Sequence, residues 1–338
     1  MKLDTALREY DLRSVPDYAR QMEATGYDCL WTSETQHDPF LPLAVAAAAT
    51  NSINLGTSIA VAFPRSPMVI AYTAWDLQKA SQGRFILGLG SQVRAHILRR
   101  FSVKFEAPGP KLREVVLALR AIWDCWQNGG PLRFQGQFFN FGLMTPFFNP
   151  GPIPHPKIPV FIAGVNRYMC RMAGEVCDGL HVHPFHTPEY LREYVHPAVE
   201  EGLQLSGRSR QDFSYTTSTF VIVGDTEAER SQNAEAVRQQ IAFYASTRTY
   251  EPVLASHGWE GLLPELHQKS LDGDWKGMAR LISDEMLDTI AVIDTYDNIG
   301  TKLQERYGAL LDRVALYQPY DPRLDAARSA ALVRQFKG

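Results

Sequence analysis

The sequence predicts an α/β fold, a (β/α)₈ TIM barrel, on three observations. Short apolar runs alternate with helical stretches along nearly the whole chain. The runs come to eight, the number at which parallel βα units close on themselves. The G-x-G-x-x-G turn that opens a doubly wound dinucleotide-binding sheet is missing after the first strand. With 338 residues, 45% of them hydrophobic, the chain can bury a large core. The expected organisation is one barrel domain over 1–338, with insertions at about 129–156, after the fourth strand, and about 250–294, before the eighth.

In order, Leu3–Leu7 reads as the first strand. A helix follows, with Ser14 as its cap, Asp17 three residues on and Gly26 at its end. Cys29–Thr32 is a buried strand, followed by an alanine-rich helix from Pro39 to about Thr50. Ile53–Val61 is the third strand, Pro67–Ala80 the next helix and Phe85–Leu89 the fourth strand. From Lys111 to Gln127, Leu112, Val115, Val116, Leu119, Ile122, Trp123 and Trp126 recur with helical period, a stripe that reads as core. The stretch 129–156 breaks the rhythm with prolines and aromatic residues and carries a hairpin near 133–139. A loop this long either shapes a pocket or packs as a surface excursion. The phenylalanines in it (Phe138, Phe139, Phe141, Phe147 and Phe148) point to an apolar substrate on the first reading. Alternation resumes with strands at Pro159–Ala163, Gly179–His183, Tyr215–Val223 and Arg313–Tyr317. The helices between them are expected near Arg167–Val176, Pro188–Leu205, Glu227–Tyr244 and Asn298–Leu310, with a helical excursion over 250–294.

Composition excludes several function classes. The net charge is −3 from interspersed residues, so no basic patch marks a nucleic-acid or anionic-membrane partner. The longest apolar stretch, Leu41 to Ala49, is too short to span a bilayer, and the first residues lack a secretion signal. A cytoplasmic protein is expected. The four cysteines match no zinc or redox spacing and read as buried free thiols. No structural metal is expected.

In a barrel of this kind, chemistry sits at the carboxyl ends of the strands. The second strand runs into Ser33-Glu34-Thr35-Gln36-His37-Asp38-Pro39, where a carboxylate and an imidazole share one loop. Asp38 reads as a helix cap. Glu34 and His37 are the candidate catalytic acid and base. Thr57, Ser58 and Ile59 lie in the end of the third strand, where small residues either admit a planar ring or mark a bulge. Gly90, Ser91 and Gln92 follow the fourth, with a charge at Arg94 beyond them. Ala163, Gly164, Val165 and Asn166 lead into a helix start suited to a phosphate, with Asn166 equally an N-cap. His181 and His183 share one side of the sixth strand, but no third metal ligand is spaced with them. Hydrogen bonding to a cofactor or substrate is the expectation there.

These pieces, in this order, resemble the bacterial luciferase-like monooxygenase superfamily. The matching segments are Gly26-Tyr27-Asp28-x-x-Trp31-x-Ser33-Glu34, Leu55-Gly56-Thr57-Ser58-Ile59, Gly83-Arg84-Phe85-x-Leu87-Gly88-Leu89-Gly90, Ala163-Gly164 and Cys177-Asp178-Gly179. Ser33 through Phe40 and Gly90 through His96 look typical of the branch that uses coenzyme F-420, a deazaflavin. The resemblance implies a cofactor ring at the open end of the barrel. A bulge with a non-proline cis peptide, here Ser58–Ile59, would press one ring face. Ser91 and Gln92 would lie near the ring edge or tail, Ala163 to Asn166 at the phosphate, and His183 beside it.

Two departures narrow the chemistry. The luciferase branch carries a histidine where this chain has Thr35. The deazaflavin-dependent glucose-6-phosphate dehydrogenases carry that histidine too, and a glutamate where this chain has Val93. The expected activity is therefore hydride transfer between F-420 and a small, apolar organic substrate. The rivals are an FMN-dependent monooxygenase and a non-catalytic cofactor-binding barrel. Members of the superfamily are commonly dimers, so a homodimer is a further expectation.

Overall fold

The structure, a computed structural model, describes residues 1–317 and 325–337. Its centre is a closed barrel of eight parallel strands, one of them split in two. In chain order these are β1 (Lys2–Ala6), β2 (Cys29–Thr32), β3 (Asn54–Thr57) with its continuation β4 (Ala60–Val61), and β5 (Phe85–Gly90). After a small hairpin of β6 (Phe134–Gln135) and β7 (Asn140–Phe141) come β8 (Val160–Ala163), β9 (Gly179–Val182) and β10 (Ser214–Thr219). Two short strands, β11 (Val221–Val223) and β12 (Val292–Asp294), pair outside the barrel, and β13 (Arg313–Leu316) completes it beside β1. Closure is carried by β3 pairing with both β2 and β5.

The helices cover the outside. The longest, Pro108–Asn128, buries the stripe read from the sequence, and Trp123 Nε1 donates to Ala71 O on the helix Pro67–Ala80. Each leucine or isoleucine so buried contributes about 1.5–3 kcal/mol. The helix Val15–Thr25 ends at Gly26, whose left-handed φ of 99° suits glycine, but Ser14 makes no side-chain cap bond. Asp38 does cap: its Oδ1 accepts from the N–H groups of Phe40 and Leu41, and the helix runs Leu41–Ala49.

Three elements differ from the sequence reading. The expected strand Ile53–Val61 is interrupted at Ser58. Between the Gly56–Ile86 and Ala60–Leu89 pairs it carries one more residue than its neighbour, which is a bulge. The expected strand Tyr215–Val223 ends at Thr219, and β11 leaves the barrel to pair with β12, a strand the sequence reading placed in helix. The expected helix Pro188–Leu205 holds a π-turn at Leu191–Val195 before His196–Leu205.

The first insertion is a strap on the outer flank. Glu114, buried in the long helix, accepts from the backbone N–H groups of Gln137, Phe138 and Phe139, so one carboxylate holds the hairpin turn. Tyr72 Oη donates to Phe148 O at 2.7 Å and Trp75 Nε1 to Gly151 O at 3.1 Å, tying the rest to the helix Pro67–Ala80. Phe147 and Phe148 are exposed to solvent and lie on that flank. From Phe147 to Gly151 the geometry is that of a packed surface excursion. The second insertion behaves differently: it brings Tyr250 against His183 at the end of β9.

Candidate active site

Register decides which side chains face the lumen. Side chains from non-neighbouring strands meet there: Trp31 of β2 lies 5.0 Å, ring to ring, from His181 of β9. Asp4 of β1 takes a bidentate ion pair from Arg313 of β13 at 2.7 and 2.8 Å and a bond from Trp31 Nε1 at 2.9 Å. Asp4 and Arg313 are 1% and 4% exposed, so the pair is dry. Burial would lower the Arg313 pKa, but the adjacent Asp4 carboxylate outweighs it and holds the guanidinium above its ordinary value.

Two residues further along each strand, the same alternation puts Ala6, Ser33, Gly90, Ala163, His183 and Ser218 on the inner face. Tyr317 follows Ala315 on β13 in the same way. All but Gly90 are half-buried, whereas the layer beneath is closed. The carboxyl end of the barrel is thus an open cup whose floor is glycine, alanine and serine.

The bulge forms one side of this cup. Ser58–Ile59 is a cis peptide, as the resemblance implies. Thr57 Oγ1 donates to Gly88 O at 2.6 Å and accepts from Gly88 N at 2.9 Å, bridging the gap where the ladder is broken. A Cβ on Gly88 would lie 1.8 Å from Thr57 O and 2.6 Å from His181 Nε2, so only glycine fits there. A Cβ on Gly90 would lie 2.6 Å from Ile59 Cδ1. Ser58 N–H donates to Thr32 O, and its hydroxyl meets His181 Nδ1 at 3.3 Å.

Glu34 and His37 have different surroundings. Glu34 is 8% exposed, and its Oε2 accepts from Val61 N–H at 2.7 Å and from Arg65 at 2.8 Å. Its own N–H donates to Ile59 O, so Glu34 grips the bulge at two points. Arg65 also reaches Asp38 at 3.2 Å. His37 is exposed and stacked on Tyr10 with ring centroids 4.8 Å apart.

Ser91 and Gln92 lie half-buried beyond β5, Gln92 with a φ of 57° and its side-chain oxygen accepting from Val93 N–H. Ala163, Gly164 and Val165 are half-buried at the end of β8. Asn166 caps the helix Arg167–Val176 through Met169 N–H at 2.9 Å, and Tyr190 Oη donates to Val165 O at 2.7 Å. The thirteen residues singled out from the sequence therefore end or follow β2, β3, β5, β8 and β9, the ends that surround the cup.

The opposite wall is aromatic and was not found from the sequence. His183 stacks on Tyr250 with centroids 4.3 Å apart and takes Tyr244 edge-on at 4.6 Å. Tyr244 and Tyr317 share a hydroxyl–hydroxyl hydrogen bond of 2.7 Å. Tyr244 lies in the helix Glu227–Ala245 and Tyr250 in the excursion after it, far from any strand-end motif. The one signal available was alternation on β13, which carries Tyr317 to the inner face two residues after Ala315.

Burial pushes His181 and His183 down to about 3 and His186 to about 4, so all three are neutral at neutral pH. The unfolded chain binds those protons near 6.5, so stability is complete above that pH and falls as pH drops from about 6.5 toward 4. The expected slope is about 1.4 kcal/mol per pH unit for each histidine. Urea midpoints at pH 7, 6 and 5 check this, and a midpoint that does not fall would contradict it.

A separate groove of about 580 Å³ lies outside the barrel, between the hairpin and the helices Pro108–Asn128 and Arg167–Val176. Its Arg113 and Glu175 pair with each other at 2.5 Å. No cluster of three or more metal-binding side chains exists among the described residues, and no described helix is long and apolar enough to cross a membrane.

The family of luciferase-like monooxygenases matches residues 2–313. An uncharacterised protein of Mycobacterium tuberculosis is 47% identical over 314 residues, covering 93% of this chain and 92% of its own. The structure is similar to the coenzyme F420-dependent tetrahydromethanopterin reductase of Methanopyrus kandleri, with TM-score 0.78 and 21% identity over 98% of this chain and 96% of that one. It is also similar to the FMN-bound oxygenating constituent of 3,6-diketocamphane monooxygenase from Pseudomonas putida, with TM-score 0.66 and 17% identity over 98% of this chain and 96% of that one. A barrel closed by eight strands, a bulge at Ser58–Ile59 and a match across nearly the whole sequence agree: this chain is an enzyme of the luciferase-like monooxygenase family, whose members are flavin- or deazaflavin-dependent oxidoreductases.

Proposed function

We propose that this chain exchanges a hydride between coenzyme F-420 and a small, apolar organic substrate bound over the exposed face of the ring. The observation that carries the reading is the half-buried cup of glycine, alanine and serine at the carboxyl rim, bounded by the Ser58–Ile59 bulge and by an aromatic wall. A flat tricyclic ring needs a floor without tall side chains, and this rim supplies one. When bound, the deazaflavin supplies a carbon that accepts or gives a hydride.

The chain's own groups position, shield and move protons. Thr57, Ser58 and Ile59 present the bulge to one ring face, and Gly90, Ser91 and Gln92 run along its edge. Ala163, Gly164, Val165 and Asn166 hold the phosphate where a helix begins. His183 lies beside the ring. Glu34 acts as a positioning residue, because its Oε2 is held by Val61 N–H and by Arg65. Of the two acid–base candidates, His37 is the one exposed and able to exchange a proton with solvent. The apolar character of the substrate rests on Tyr244, Tyr250 and His183, since Phe147 and Phe148 stand exposed on the outer flank and Phe138 lines the outer groove.

A second reading, an FMN-dependent monooxygenase, is favoured by the likeness to an FMN-bound monooxygenase. The sequence segments Ser33–Phe40 and Gly90–His96 favour the deazaflavin. The test is to titrate the protein with F-420 and with FMN and follow oxidation of each reduced cofactor with and without oxygen. Saturable F-420 binding with oxidation indifferent to oxygen is expected. Rapid oxygen consumption with FMN and no binding of F-420 would overturn the choice.

A further inference from the structure

One buried side chain beneath the cup directs its hydrogen bonding at the bulge. His181, 7% exposed, stands on the inner face of β9, one alternation below His183. Trp31 meets its ring edge-on at 5.0 Å and Phe161 at 5.6 Å, so the imidazole plane is fixed. Trp31 is fixed in turn by its bond to Asp4 at 2.9 Å and by the Arg313 guanidinium over its indole at 5.8 Å. His181 Nδ1 lies 3.3 Å from Ser58 Oγ. Its Nε2 is enclosed and forms no tight hydrogen bond among the described residues, and the acceptor beside it is the Thr57 carbonyl. A Cβ on Gly88 would crowd both atoms at once, at 2.6 Å from Nε2 and 1.8 Å from Thr57 O.

Burial keeps this ring neutral, with a single N–H to place. A bare Nε2 would set its lone pair against the Thr57 oxygen where water does not reach, so the proton belongs on Nε2. Nδ1 is then bare and takes the Ser58 hydroxyl proton. Ser58 is half-buried, between the dry lumen and the cup, so its proton points down and its lone pairs are left for the cup. We infer that His181 is a positioning residue: by holding the Ser58 proton below the floor, it makes the bulge present oxygen lone pairs to the cofactor ring and biases the bound ring toward its oxidised form. This rests on the proposed cofactor cup. An oxidised tricyclic ring is electron-poor and attracts lone pairs, whereas the reduced ring, two electrons richer, is repelled by them. The reduced ring held over such an oxygen is the stronger hydride donor. No proton or electron passes through His181.

The test measures the dissociation constants of oxidised and of reduced F-420 on the full chain, by equilibrium dialysis without oxygen. The ratio of the reduced to the oxidised constant reports the bias. Ser58→Ala should lower this ratio about 3- to 10-fold, the range of one hydrogen bond. His181→Phe keeps an aromatic ring between Trp31 and Phe161 but frees the Ser58 hydroxyl, and should lower the ratio at least as much. On top of Ser58→Ala, His181→Phe should change the ratio no further, because its effect runs through that hydroxyl. A merely structural histidine would weaken both forms alike. An unchanged ratio in either single variant, or a full second effect in the double variant, would overturn the inference. Ser58→Ala lies at the rim and keeps the test readable if His181→Phe folds poorly. A second measurement needs no cofactor: with ¹⁵N-labelled histidine, the ring that responds to Ser58→Ala should carry its proton on Nε2. A proton on Nδ1 would also overturn the inference. A wild type that binds neither form of F-420, with the proton on Nε2, overturns the cofactor reading and with it the bias, while the hydrogen bond to Ser58 stands.

Discussion

Asp4→Ala should lower the free energy of unfolding by about 3–5 kcal/mol. The carboxylate lies in the barrel lumen, where it receives two bonds from Arg313 and one from Trp31. Removing it strands a guanidinium that is 4% exposed, with its charge unpaired in a place water does not reach. The cost comes from that stranded charge more than from the lost attraction. Replacing both partners by apolar residues, Asp4→Leu with Arg313→Met, should therefore recover most of the loss. Urea unfolding of the single and double variants measures both. A double variant as unstable as Asp4→Ala would show that the pair itself, and not the orphaned charge, carries the stability.

The second large effect falls on binding. Gly90→Val should weaken F-420 affinity by at least about 100-fold, or about 2.7 kcal/mol. The first added carbon would already lie 2.6 Å from Ile59 Cδ1, and the two methyl groups beyond it would stand up from the floor of the cup. Overpacking of this kind costs about 1–3 kcal/mol of stability, so the variant should fold. Adding Ile59→Ala should relieve the clash and restore stability, while affinity stays low because the bulge loses its contact with the ring. Unchanged affinity in Gly90→Val would mean that the ring does not rest on this floor.

Much of the barrel was legible because its strands are short, buried and spaced by helices, so that local pattern and global fold agree. The site was legible wherever it is local in sequence. Ser33 through Asp38, Thr57 through Ile59 and Ala163 through Asn166 each lie at the end of a strand or directly after it, and position at the carboxyl end of a barrel strand is itself the signal. The break at Ser58 was legible through the family resemblance, which implied a bulge and a cis peptide there, and not through the apolar pattern. It depends on Thr57 reaching Gly88, thirty-one residues away, and on Glu34 gripping Val61, twenty-seven away. Read by pattern alone, Ile53–Val61 is one continuous strand.

The role of Glu34 was hidden for the same reason, since Arg65 lies on another loop. The aromatic wall was hidden because Tyr244 and Tyr250 reach His183 from a helix and an excursion with no motif of their own. Conversely, the phenylalanines of the first insertion looked like a pocket lining because of composition. Tyr72 ties Phe148 to the outer flank, where Phe147 is also exposed, and Glu114 holds Phe138 at the outer groove. β12, three residues long, carries too little sequence for its period to register.

The central claim is that a planar cofactor lies on the small-residue floor with one face against the bulge. The measurement that tests it most directly is a crystal structure of the full chain with oxidised F-420. The ring is expected in van der Waals contact with Ile59 and over Gly90, its phosphate near Ala163 to Asn166, and its open face turned toward Tyr317. A ring found in the outer groove beside Arg113 and Tyr168, or one held at the rim without touching Ile59, would contradict it.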